Sequence, residues 1–157
     1  MTASRNVSNP NPGSPQPKPH AVRKRTRARE LVLRALYLID VRGPDALPDV
    51  PAFFAAETSD PDVFAFAKQV FDGIIEHRDE LDAKISGVAE NWQIHRMAVI
   101  DRNLLRLGTF EFVHLADIPP KVSINEAIDL AKRYSTAESG AFVNGILDKL
   151  RTQIRPE

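Results

Sequence analysis

The sequence predicts an all-α fold, a compact helical domain of six or seven helices, and three observations carry that prediction. Apolar residues recur at three- and four-residue spacing through most of the chain beyond Thr26. Proline, glycine and short polar cap residues fall between those periodic stretches. No stretch alternates apolar and polar residues as a half-buried strand would.

Residues 1–21 are rich in Pro, Asn and Ser, with five of the twelve prolines before His20. Such a segment buries too little apolar surface to offset its ordering entropy and is expected to be a disordered tail. The first helix is expected from Thr26 to about Val41, with Ala28, Leu31, Val32, Ala35, Leu38 and Ile39 forming one apolar stripe. Gly43-Pro44 ends it. Pro51 to Ala56 suggests a short second helix. Pro61 suits the first turn of the next, capped by Ser59 or Asp60. Val63, Phe64, Ala67, Val70, Phe71, Ile74 and Ile75 then keep the helical period, and Leu81, Ile85 and Val88 continue it past a break near His77-Arg78-Asp79.

Asn91-Trp92 marks a junction, with Trp92 as its anchor. Met97 to Leu115 is the clearest helix, stopped by Pro119-Pro120. Ser123 with Glu126, and Ser135 with Glu138, have capping-box spacing and are expected to open the last two helices. Gly145 lies inside the final one, where a missing side chain would let another helix approach.

The zero net charge hides a division. Residues 1–34 hold eight Lys/Arg and one acid, and residues 35–157 hold thirteen Lys/Arg and twenty acids, so +7 faces −7. A positive arm on an acidic body suits a polyanion at one end and a different partner elsewhere. Cysteine is absent, which excludes disulfides, thiol catalysis and cysteine-ligated zinc fingers. With no long apolar run and no apolar leader, a soluble cytoplasmic protein is expected. His20, His77, His95 and His114 are scattered and read as lacking a metal-ligand partner, so no metal or cofactor is expected. His77-Arg-Asp79 imitates a kinase fragment without a glycine-rich phosphate loop, and no catalytic residue is assigned.

Four segments carry a family resemblance. They are Asp101-Arg-Asn-Leu-Leu-Arg-Leu-Gly108, Asp117-Ile-Pro, Ile124-Asn-Glu-Ala-Ile-Asp-Leu-Ala-Lys132 and Phe142-Val-Asn-Gly-Ile-Leu-Asp-Lys149, with Arg27-Ala-Arg-Glu-Leu upstream. In order and spacing the chain resembles the NusB family of bacterial transcription antitermination factors from roughly Arg23 to Leu150. The resemblance implies an all-helical fold of two small bundle-like subdomains, here about 22–90 and 91–157. It implies partnership with NusE, a small-subunit ribosomal protein. It also implies binding of single-stranded boxA RNA in ribosomal RNA leaders, and a place in the complex that keeps RNA polymerase elongating. Some members self-associate, so a homodimer is open. A helical protein-binding scaffold without RNA contact is the alternative.

Carried onto this sequence, the family's RNA-facing positions are Lys24, Arg25, Arg27, Arg29, Glu138 and Phe142, and its NusE-facing positions are Tyr37 and Asp101. Arginine grips phosphate through two parallel hydrogen bonds and stacks on unpaired bases, which gives the arm its chemical sense. The family often has arginine where this chain has Thr26. Each assignment has a bland alternative: a solvated basic run, a core Phe142, a capping Glu138, a half-buried Tyr37, and an Asp101 that caps a helix or pairs with Arg102. Four neutralised phosphates would give log affinity against log salt a slope of roughly −3.

Overall fold

The computed structural model describes residues 20–156. Seven α-helices follow one another: α1 (His20–Arg42), α2 (Val50–Glu57), α3 (Pro61–Glu76), α4 (Arg78–Val88), α5 (Val99–His114), α6 (Pro120–Tyr134) and α7 (Ala137–Ile154). Short 3-10 turns at Pro44–Asp49 and Ile94–Arg96 lead into α2 and α5. Among the described residues there is no strand, and no helix is long and apolar enough to cross a membrane.

The helices form where the apolar period demands, but their ends correct several expectations. α1 begins at His20, so the basic run is itself helical, in keeping with the good helix propensity of Arg and Lys. α1 thus takes in His20 and Ala21 of the expected tail, and the rest of that segment, residues 1–19, lies outside the described residues. Gly43 takes φ +90, a conformation that suits glycine, and its N–H donates to the Ile39 carbonyl to close α1. Asp60 caps α3 by accepting from the Asp62 N–H, with Pro61 at the first helical position.

Pro119-Pro120 does not stop α5, which has already ended at His114; Pro120 instead opens α6. Ser123 and Glu126 consequently stand inside α6 with their side chains buried, and they form no capping box. The cap of α7 is Thr136, one residue later than expected, accepting from the Ser139 N–H at 3.0 Å. Glu138 is thereby an exposed first-turn residue, where its charge suits the helix dipole.

The core is contiguous across all seven helices. Leu31, Val32, Ala35, Phe54, Val70, Ile74, Leu81, Leu104, Leu105, Phe112, Ala131 and Leu147 lie fully or almost fully out of solvent within one cluster. Two glycines set helix spacing: a Cβ at Gly73 would collide with the Phe110 ring, and one at Gly108 with the Leu147 side chain. Gly145 is not such a point, because a Cβ there meets nothing within 4 Å.

Candidate nucleic-acid and partner interface

The basic residues of α1 divide by burial. Arg29 is the clearest correction to the expected RNA set. It is 2% exposed, and its guanidinium forks onto Glu111, with Nε to Oε2 at 2.7 Å and Nη2 to Oε1 at 2.9 Å. Its Nη1 reaches Glu126 Oε1 at 3.3 Å. Ser123 Oγ donates to Glu111 Oε1 at 2.5 Å and Thr26 Oγ1 to Glu126 Oε1 at 2.7 Å, completing a network that ties α1, α5 and α6 together. Burial pulls the Arg29 pKa down, but the two carboxylates outweigh it and hold the group above its ordinary value. Arg29 is a buried ion pair of the core.

The other three cations stay on the surface. Arg25 is exposed and, among the described residues, has no ion pair; its guanidinium lies over the Phe66 ring at 4.6 Å. Lys24 Nζ sits 2.7 Å from Asp62 and 3.3 Å from Asp60, and the Asp62 hydrogen bond raises its pKa. Arg27 bonds Glu30 at 2.9 Å and Glu57 at 3.1 Å with 36% of its side chain exposed. Such solvent-screened surface pairs contribute little, so a phosphate can displace them at small cost.

Phe142 is half-buried and meets Trp92 edge-on, ring centroids 5.3 Å apart at 74°. Trp92 remains 53% exposed, so the sequence-expected junction anchor is also a large surface aromatic. Asp101 neither pairs with Arg102 nor caps α5. It accepts a short hydrogen bond from Ser139 Oγ, which holds the first turn of α5 against that of α7.

Tyr37 is 48% exposed and lines an apolar groove of about 540 Å³ with Leu33, Arg34, Leu38, Phe53, Ile100 and Tyr134. Sequence reasoning missed this groove because its walls come from α1, α2, α5 and α6. Of the two residues expected to meet the partner, Tyr37 lines this groove, while Asp101 is bonded to Ser139 of α7. Glu30 fixes its rim: Arg27, Arg133 and the Tyr134 hydroxyl all converge on that carboxylate.

The NusB family model matches residues 26–152. The chain belongs to the NusB family. It is 41% identical over 134 residues to the transcription antitermination protein NusB of Desulfatibacillum aliphaticivorans, covering 85% of this chain and 94% of that one. To the NusB of Myxococcus xanthus it is 45% identical over 130 residues, covering 80% and 93%. Among solved structures it resembles the crystal structure of antitermination factors NusB and NusE in complex with dsRNA, with TM-score 0.76 and 29% identity over 83% of this chain and 98% of that one. T. maritima NusB is similar at TM-score 0.72 and 38% identity, over 85% and 93%. Two family signatures acquire structural explanations. Asn103 and Arg106 of the Asp101–Gly108 segment are buried, with Arg106 forked onto Asp82 at 2.7 and 3.0 Å and Asn103 bonded to Asp40 at 2.8 Å. Glu126 of the Ile124–Lys132 segment belongs to the Arg29 network.

Proposed function

We propose that this protein is a cytoplasmic, non-catalytic RNA-binding transcription antitermination factor that acts with NusE on boxA-type RNA and supports processive elongation by RNA polymerase. The observation that carries the reading is the family match over most of the chain, together with likeness to a NusB that was crystallised with NusE and dsRNA. On this reading Lys24, Arg25 and Arg27 meet phosphates from the exposed side of α1. Phe142, with Glu138 on the same opening stretch of α7, faces the bases. Arg29 holds the helix that presents the other three. Tyr37, on the apolar groove, and Asp101 meet NusE, and the acidic body suits a basic ribosomal protein. The division at about residue 90 into two subdomains belongs to the same reading.

With Arg29 withdrawn, about three phosphates are neutralised, and the salt slope becomes about −2 rather than −3. Phosphate contacts supply affinity, while base contacts and the partner supply sequence preference. The test is a titration of boxA-like and scrambled RNA, each with and without NusE, across a salt series. Tighter binding of boxA in the presence of NusE is expected, with that slope. A flat salt response, or no discrimination under either condition, overturns the reading in favour of a scaffold that binds proteins alone.

A further inference from the structure

His77 sits between α3 and α4, Glu80 lies in the first turn of α4, and His114 is the last residue of α5. None of the three belongs to the surfaces described above. The sequence reading passes over Glu80, three residues beyond His77, and cannot foresee that the fold brings His114 to the same place. His77 Nδ1 is 3.3 Å from Glu80 Oε1, and His114 Nε2 is 3.2 Å from that same oxygen. The two imidazoles stack at 4.1 Å, and the three ligand atoms lie within 4.8 Å of one another. On the far side of His77, Nε2 stands 4.0 Å from Glu76 Oε2. The Phe110 ring supports His114 from below at 5.1 Å.

We propose that His77, Glu80 and His114 bind a divalent transition-metal ion of the zinc class, which would clamp the α3–α4 turn to the end of α5. Ligands bonded at about 2.0–2.1 Å in a tetrahedron stand about 3.3 Å apart, and both nitrogen-to-oxygen separations already have that value. Two imidazoles and one carboxylate select zinc, cobalt or nickel over magnesium or calcium, which favour all-oxygen shells. His77 coordinates through Nδ1 and His114 through Nε2, while Glu80 gives one oxygen and water fills the open position. Glu76 Oε2, 4.0 Å from Nε2 and so beyond hydrogen-bond distance, would have to close onto His77 to serve as the outer carboxylate. The ring planes are only 28° apart, so their lone pairs do not yet converge. Loading the ion turns one imidazole about its Cβ–Cγ bond, at the expense of the stack that holds His114 between His77 and Phe110.

The test is calorimetric titration of the full chain, stripped with chelator, with zinc alone and with magnesium alone, alongside cobalt absorption spectra. One zinc per chain is expected, with no magnesium binding and with visible cobalt bands of a nitrogen–oxygen site. His77→Ala combined with His114→Ala should abolish binding. Glu80→Gln, which keeps the side chain's shape, checks the same site if the double variant fails to fold, and should lose at least about 10-fold. Glu76→Gln should weaken zinc by roughly 10- to 100-fold, as outer-sphere partners do elsewhere. A dissociation constant for zinc above about 1 mM overturns the proposal. So does unchanged zinc affinity in the Glu80→Gln chain, which would place the ion on other side chains.

Discussion

Arg25 and Arg29 stand one helical turn apart on α1, carry the same charge and share the Phe66 ring, yet their surroundings are opposite. Arg25 lies over that ring at 4.6 Å, exposed, without an ion pair among the described residues. Arg29, 5.6 Å from the ring, is sealed between two carboxylates. The difference teaches that a run of like charges is no uniform surface. Two residues on one helical face differ because the rest of the fold delivers buried acids to Arg29 and, among the described residues, none to Arg25.

The sharpest way to break the comparison is Arg29→Met. Removing the cation strands Glu111 and Glu126 in the core, and a broken buried pair costs roughly 3–5 kcal/mol. Chemical denaturation should register a loss of that size, while a stability change under 1 kcal/mol would mean water reaches the network. Arg25→Ala combined with Arg27→Ala is the mirror experiment. RNA affinity should fall and the salt slope flatten by about 0.7 for each cation removed, while the unfolding free energy moves by only about 1 kcal/mol.

Tyr37→Ala should weaken NusE binding by more than about 1 kcal/mol, as truncated interface aromatics commonly do, with RNA affinity in the absence of NusE unchanged. Competition binding checks it, and equal losses for both ligands would remove the groove from the partner's footprint. The smallest effect concerns acid stability. Glu30 is partly desolvated, which raises its pKa, but the Tyr134 hydroxyl, Arg27 and Arg133 together bring it below its ordinary 4.5. A lowered folded-state pKa contributes stability above about pH 4.5 that fades as the pH falls through the folded value. Glu30→Gln should therefore lower stability at neutral pH and bring the two proteins closer together in acid. Parallel denaturation curves at every pH would contradict that.

Much of the fold is legible from the apolar period alone, because α3, α5 and α7 bury the residues their spacing marks. Helix ends were less legible. Ser123 and Glu126 have the spacing of a cap, but Pro120 starts the helix three residues earlier and sends both inward. Lys24, Arg25 and Arg27 lie at or near the surface towards the start of α1, whereas the fate of Arg29 depends on Glu111, eighty-two residues away. No local pattern carries that separation. The His77–His114 stack and the Tyr37 groove escaped for the same reason.

Gly73 and Gly108 give this architecture its tolerances. At each, a helix forgoes about 1 kcal/mol of intrinsic propensity relative to alanine, and a neighbour's side chain occupies the vacant room. The middle helix is thus gripped from two directions by absent atoms. A methyl added at Gly73 would act as a shim against the rigid Phe110 ring, prising α5 from α3 and shifting the carboxylate that steadies the basic helix. At Gly108, by contrast, the branched end of Leu147 can give way.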